Sequence, residues 1–389
     1  AALLYGVWLG CASAAAAEPA ASSERSGFVA LILPGKSRAL RPAVDAIKAG
    51  ILAAEKSRSS RETWPVKIFD SGDAIEESLA LFNEAKSQGA VAVIGPLTRN
   101  AVNHLADLAD FSVPVLALNS FDETTLRRAN LYSFGLSIEA EVEQVVRLMR
   151  SRFVVAPLVL VSDGPLSQRM QRAFVETWRQ QAGAEPPVVE VYDARQQALE
   201  LQQRMRDADA VFFAADGRRA SRIRPYLPMD KPCFATSQIA TGRTLPVDLS
   251  GVNYVEIPWL ANPDAPEYVL LGRVRGSSSD IERWFAQGVD AWQLAQQLAF
   301  GKIPDTQDGL TGRLAPGADG VIGQRVEFAE QVRAVAAERR RRAGTYTFDD
   351  QLIRLRDALA DPALGLRCAF AMGLRTLTLQ TGQAFRRLL

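Results

Sequence analysis

Residues 28–37 have the sequence Phe-Val-Ala-Leu-Ile-Leu-Pro-Gly-Lys-Ser, an apolar run that ends in a turn. Its apolar residues do not alternate with polar ones, which is typical of a parallel strand covered by helices on both faces. Similar runs recur along the chain, at Val66–Phe69, Val91–Ile94, Val113–Leu118, Leu158–Val161, Val188–Val191, Val211–Ala214 and Cys233–Ala235. The recurrence predicts an α/β fold built on parallel sheets.

Amphipathic helical patterns lie between these runs, and two irregular stretches interrupt the alternation. Residues 133–137 indicate a hinge before a charged helix that begins at Ile138. Residues 262–280, rich in Pro, Asp, Gly and Ser, precede a long helix over 281–300. These breaks favour two doubly wound parallel-sheet lobes over one large sheet. We predict lobe I over residues 28–137 plus 281–329, and lobe II over residues 138–280.

The composition argues against several classes of function. The chain of 389 residues carries 45 Lys and Arg against 44 Asp and Glu, a net charge of +1, so we expect no nucleic-acid partner. It has 3 Cys, far apart in sequence, and a single His, His104, which we place at the border of a helix face. Known catalytic and phosphate-binding motifs are absent. We therefore expect no enzymatic activity, no metal and no cofactor.

The first residues are typical of an export signal. Residues 1–17 are apolar and rich in alanine, as in a secretory signal or lipoprotein leader. Two kinds of processing fit the sequence: cleavage after Ala17, or lipid attachment at Cys11, which follows Leu9 and Gly10. Residues 18–27 then form a short flexible linker. We expect a periplasmic protein, and lipid attachment at Cys11, if it is the processing used, would tether it to the outer membrane.

Polar residues follow the predicted strands at the edge where parallel sheets bind ligands. The cleft and ligand candidates are Lys36, Thr98, Asn119, Ser120, Asp163, Asp216, Ser237 and Gln238. The alternative interpretation is that these residues make turns and cap the helices that follow. The bulky Leu97 and Phe121 lie in the same loops, and they predict a cleft that is filled rather than open.

Nine segments, in order, resemble the LppC/LpoA family: Val29–Pro34, Ala92–Leu97, Pro114–Asn119, Gln168–Phe174, Asp216–Leu227, Ala235–Ile239, Ile257–Leu260, Phe285–Leu294 and Leu310–Leu314. The resemblance covers roughly residues 28–329. It implies a type I periplasmic-binding-protein fold of two α/β lobes. It also implies an outer-membrane lipoprotein, close to peptidoglycan, that binds a bifunctional class A penicillin-binding protein and stimulates its transpeptidase.

Residues 330–389 do not continue the alternation of strands and helices. They begin with a basic run, Arg339–Arg342, which precedes an amphipathic pattern over 345–359. We predict a basic, helical tail there, loosely docked on the two lobes. A fusion, a shift of reading frame and a lineage-specific extension each account for such a break.

Two functional classes compete. The first is a non-catalytic activator that contacts a penicillin-binding protein, as the resemblance implies. The second is a periplasmic solute-binding protein that closes on a small polar ligand. A hydrolase is a weaker third, because a nucleophile needs a base in hydrogen-bond reach and only His104 or a carboxylate could serve.

Overall fold

The computed structural model describes residues 26–328, except 59, 61, 121–127, 181–185, 192–200, 202–204, 229–230, 241–246, 250, 264, 273–277, 318–319 and 326. The predicted leader with Cys11, the loop residue Phe121 and the predicted tail over 330–389 lie outside the described residues.

The first sheet is fully parallel and follows the predicted alternation. Its strands are β1 (Phe28–Leu33), β2 (Val66–Asp70), β3 (Ala90–Ile94), β4 (Val115–Ala117) and β5 (Leu131–Ser133), in the spatial order β2-β1-β3-β4-β5. Helices α1 (Arg41–Arg58), α2 (Ile75–Ser87) and α3 (Arg99–Leu108) connect them. The order reverses between β1 and β3, and such a switch point places the loops after both strands beside a crevice.

The second sheet repeats this plan. It contains β6 (Pro157–Val161), β7 (Val188–Val191), β8 (Ala210–Ala214), β9 (Cys233–Ala235) and β10 (Val252–Glu256), in the order β10-β9-β8-β6-β7, all parallel. Its helices include α4 (Ile138–Ser151), α5 (Pro165–Gln180) and α6 (Gly217–Ile223). Aromatic stacking of Phe174 on Trp178 and on Phe212 fixes α5 against this sheet.

After β10 the chain forms the short helix α7 (Pro258–Ala261) and the long helix α8 (Ser279–Ala299). A small antiparallel sheet of β11 (Gln307–Asp308), β12 (Arg313–Pro316) and β13 (Ile322–Arg325) follows, and β14 (Glu327–Phe328) pairs antiparallel with β10. Single 3-10 turns complete the described chain, at Arg224–Tyr226, Ser237–Ala240, Val247–Leu249 and Pro266–Leu271.

The predicted fold class is confirmed: two doubly wound parallel sheets lie on one chain. Every predicted apolar run contains a strand. The sequence prediction missed β5, β10 and the antiparallel strands, which are short or mix polar with apolar residues. The lobe boundaries stay a prediction. Strand β14, at residues 327–328, lies in the range predicted for lobe I but pairs with β10 of the second sheet.

Helix α8 packs against the first sheet and crosses α1 at very short range. A Cβ atom at Gly50 would lie 2.0 Å from the carbonyl oxygen of Phe285, and one at Gly288 would lie 2.2 Å from that of Ile47. Each glycine therefore faces the backbone of the other helix. Because the two glycines have no side chain, the two backbones can touch at this crossing. Apolar side chains of both helices pack around the contact.

We expect Gly288→Ala to lower the free energy of unfolding by about 1–3 kcal/mol, because the new methyl group must push the two helices apart. The measurement is urea unfolding followed by circular dichroism. Lys56→Ala, on the exposed side of α1, is the control, and its effect should stay within about 0.5 kcal/mol. Equal stability of Gly288→Ala and the wild type would contradict the close crossing.

Candidate functional site

The first turn of α8 carries a buried arginine that connects it to the second sheet. Arg283 Nε and Nη2 donate to the two carboxylate oxygens of Glu256, at 3.1 and 2.6 Å. Nη2 also donates to the carbonyl oxygens of Ser237 and Ala240, and Nη1 donates to Asp280 Oδ1 at 2.9 Å. The Arg283 and Glu256 side chains are 5% and 4% exposed. The bidentate geometry and the carbonyl contacts satisfy a cation that would otherwise be very costly to bury.

A second carboxylate reaches the same place from α4. Glu141 accepts hydrogen bonds from the backbone N–H of Ser237, at 2.8 Å, and from its hydroxyl, at 2.9 Å. Burial raises the pKa of Glu141 to about 7, although the Ser237 bonds and the charge of Arg283 oppose this. We call Glu141, Ser237, Glu256 and Arg283 the Arg283 cluster. It joins α4, the end of β9, β10 and α8 at one buried point.

Further polar contacts fix the rest of α8. The Trp259 indole N–H donates to Glu282 at 2.5 Å, and Gln287 donates to the carbonyl oxygen of Phe134 at 3.0 Å. Asp290 accepts from the N–H groups of Leu310 and Thr311 and from the Thr311 hydroxyl. Burial raises the pKa of Asp290 above its ordinary value, although these hydrogen bonds act in the opposite direction. The family-like segments around Trp259 and Thr311 are thus places where the chain is held against α8.

The structure assigns capping or internal bonds to several of the predicted ligand candidates. Thr98 caps α3 by accepting from Ala101 N at 3.4 Å, and Asp216 caps α6 by accepting from Arg219 N at 2.8 Å. Ser237 belongs to the Arg283 cluster. The contacts of Thr98 and Asp216 are the cap roles that the sequence left as the alternative, whereas Ser237 has a distant partner.

The remaining candidates are half-buried or exposed. Asn119 donates to the carbonyl oxygen of Leu97 at 2.9 Å, and the Ser120 hydroxyl accepts from Arg99 at 2.7 Å. Lys36 is exposed, 3.7 Å from Glu77. Asp163 is exposed at the start of α5, and Gln238 is half-buried after β9. A ligand role for these residues stays a prediction.

A small pocket of about 50 Å³ lies at the carboxyl ends of β1, β2 and β3. Its lining comes from the first sheet and its helices, and includes Pro34, Ser71, Ser78, Leu97 and Thr98. By this measure of volume one water molecule needs about 10–15 Å³, so the pocket holds a few waters. Leu97, one of the two bulky loop residues that we expected to fill the cleft, forms part of the wall of this pocket.

Cys233 and His104 are side chains with nucleophilic or metal-binding chemistry, and they occupy buried and half-buried positions. Burial raises the pKa of the Cys233 thiol to about 11, so it is protonated at neutral pH. His104 is half-buried on α3. Among residues 26–328, leaving out the gaps, no cluster of three His, Cys, Asp or Glu side chains could hold a metal ion. Within the same residues, no helix has the length and hydropathy to cross a bilayer.

Comparison with known proteins places this fold in the type I periplasmic-binding-protein class. A solved structure described as a putative branched-chain amino acid ABC transporter from Chromobacterium violaceum aligns with a TM-score of 0.69 and 32% identity, over 78% of this chain and 99% of that one. Full-length LpoA from Haemophilus influenzae aligns with a TM-score of 0.65 and 23% identity, over 78% of this chain and 57% of that one. The latter likeness is one of fold.

The profile of the family described as "LppC putative lipoprotein" matches residues 21–203 and 193–333. The chain belongs to the LppC family, as the nine segments indicated. The penicillin-binding protein activator LpoA of H. influenzae is 28% identical over 268 residues, which are 65% of this chain and 46% of that protein. The protein of the same name from Photobacterium profundum is 26% identical over 341 residues, 77% of this chain and 55% of that one. The chain thus spans about half the length of these relatives.

We expect Arg283→Met to lower the free energy of unfolding by about 3–5 kcal/mol, because it leaves the Glu256 carboxylate buried without its cation. Urea unfolding at neutral pH measures this. Arg147→Met is the matched control, since Arg147 forms an exposed pair with Glu143 on α4 and should contribute less than about 0.5 kcal/mol. Similar losses for the two variants would contradict a structural role for the cluster.

The raised pKa of Glu141 predicts a pH dependence of stability. Between pH 4.5, the ordinary pKa of glutamate, and about 7, the folded protein binds more protons than the unfolded chain. Stability therefore falls as the pH rises through this window, by up to roughly 3 kcal/mol from this group. We expect Glu141→Gln to remove this slope, as measured by urea unfolding from pH 4.5 to 8.

Glu139, two residues before Glu141 on α4, provides the control for the pH experiment. Burial alone raises the pKa of Glu139, but its hydrogen bonds with Arg169 and the charge of Arg169 outweigh burial, and the pKa is lowered. Glu139 therefore stabilises the fold above its ordinary pKa and loses that contribution as the pH falls. Glu139→Gln should leave the slope above pH 4.5 in place. Identical pH profiles for the wild type and Glu141→Gln would contradict the assignment.

Proposed function

We propose that this protein is a non-catalytic activator of a class A penicillin-binding protein, and that it stimulates peptidoglycan transpeptidation by direct contact. The observation that carries the proposal is membership of the LppC family, whose matched relatives are named penicillin-binding protein activators. The absence of a catalytic signature in the sequence and the protonated state of the buried Cys233 thiol support a role without turnover.

An activator shifts its partner toward an active conformation only by binding that conformation more tightly than the inactive one. A preformed surface does this at a low cost in ordering. Here the Arg283 cluster connects the second sheet to α8, which packs on the first sheet. A surface on either sheet is therefore supported by one connected core. The proposed mechanism is therefore docking of a rigid body.

We also propose that the protein works in the periplasm, near peptidoglycan, and that lipid on Cys11 anchors it to the outer membrane. The family description as a lipoprotein supports this location. Two lipid-facing signals are usually needed for stable anchoring, which a multiply acylated cysteine supplies. Cleavage after Ala17 is the competing processing, and the intact mass of the exported protein distinguishes the two.

A solute-binding role is the alternative. The observation in its favour is the 32% identity with the C. violaceum structure, which is described as part of an amino acid transporter. Against it, the pocket at the first sheet has room for a few waters, and Thr98 and Ser237 already serve as a cap and as part of the Arg283 cluster. An amino acid needs partners for both its carboxylate and its ammonium group.

We expect saturating protein to raise the yield of crosslinked peptide from lipid II made by a purified class A penicillin-binding protein of the same organism. The assay compares crosslinked muropeptides with and without the protein. The synthase with its transpeptidase blocked by penicillin gives the background. An unchanged yield at saturation would reject the activator role.

The same preparation separates the alternative from the proposal. Thermal unfolding is followed with leucine, isoleucine or a muropeptide at millimolar concentration. A large rise in the melting temperature together with an unchanged crosslinking yield favours solute binding, since a ligand of the folded state stabilises it by mass action. Increased crosslinking with no ligand-dependent rise favours the activator.

A further inference from the structure

The loop that joins α4 to β6 carries an exposed aromatic residue in an unfavourable backbone conformation. Phe153 has φ of 63° and its side chain is 88% exposed. Its N–H donates to the carbonyl oxygen of Arg150, and the N–H of Val154 donates to that of Met149. This pair of bonds defines a Schellman motif with Phe153 at the left-handed position, where glycine is the preferred residue. Neither burial nor backbone preference accounts for phenylalanine here.

The loop is held in place on both sides of this residue. Val154 is buried, and the N–H groups of Val155 and Ala156 both donate to the Asp209 carboxylate, at 2.6 and 3.1 Å. Val155 is 61% exposed. Phe153 and Val155 therefore project from a fixed backbone, and a strained, exposed position that the surrounding structure enforces indicates function.

Two arginines come just before Phe153 in the chain, and each guanidinium group lies near an aromatic ring of the second sheet or its helices. Arg150 lies over the Trp178 ring, 5.3 Å from its centroid, and Arg152 lies 5.8 Å from the centroid of Phe234 and donates to Asn253. Both arginines occupy the carboxyl end of α4. Aromatic residues and arginine are enriched at protein–protein interfaces, and arginine is among the residues that contribute most of the binding energy there.

We propose that Phe153 and Val155, with Arg150 and Arg152 beside them, form a docking surface for an apolar groove with an acidic rim on a partner protein. This rests on the proposed function, so the partner is the penicillin-binding protein. The positive charges of the two arginines complement such a rim.

Phe153→Gly tests the inference because it separates binding from folding. Glycine suits the left-handed position, so the variant should melt at the wild-type temperature or higher. We expect its affinity for the purified class A penicillin-binding protein to fall at least about tenfold, and half-maximal stimulation of crosslinking to need correspondingly more protein. Leu108→Ala is the control: Leu108 is also 61% exposed, but it ends α3 on the first sheet, and its loss should not change the affinity.

Each other outcome overturns the inference in a recognisable way. Wild-type affinity in Phe153→Gly, with the wild type binding and stimulating normally, rejects the docking surface and leaves the proposed function intact. A wild type that neither binds nor stimulates rejects both. A lower melting temperature in Phe153→Gly assigns a packing role instead. If Phe153→Gly keeps its affinity for the synthase but no longer binds anionic vesicles, the surface is assigned to lipid. If it keeps that affinity but loses a dimer that the wild type forms in sedimentation, the surface is assigned to a second copy of the chain.

Discussion

The buried ion pair between Arg283 and Glu256 is the interaction on which the architecture depends. A guanidinium group this deeply buried needs all its donors satisfied, and the structure supplies Glu256, Asp280 and two carbonyl oxygens. Apart from Asp280, the partners lie 27 to 46 residues before Arg283 in the chain, so satisfying the cation also fixes how those segments meet. Replacing such pairs with apolar residues often costs little stability, but removing one partner costs much. The pair therefore specifies an arrangement more than it adds stability.

Helix α8 extends this arrangement along its whole length. Its first turn holds the second sheet, its middle contacts the backbone of α1 through Gly288, and Asp290 holds the loop before β12. Near its end, Gln296 exchanges two hydrogen bonds with the backbone of Trp64, at 3.0 and 2.9 Å. One helix thus collects contacts from most of the chain, and several family-like segments are the other halves of those contacts.

The amount that the sequence predicted varies with the kind of interaction. Apolar runs marked the central strands because both faces of those strands are buried, and this leaves a local pattern. Strand β5 is short and ends in Ser133, and β10 mixes Asn253 and Glu256 with apolar residues, so neither leaves that pattern. Ser237 was chosen as a ligand candidate for its position after a strand. Its actual partner, Glu141, lies 96 residues away, and no local signal could have paired them.

The position of α8 in the sequence also affects the order in which the fold can form. The strands of the first sheet are all present by residue 133, yet the helix that covers one of its faces begins at residue 279. Until that helix emerges, Ala92, Ile94 and Leu116 lack their cover, and Glu141 and Glu256 lack their cation. From residue 133 to residue 279, a chain that emerges from its amino end must therefore keep apolar surface of the first sheet exposed. Exposed apolar surface of this kind makes an incomplete chain prone to aggregation.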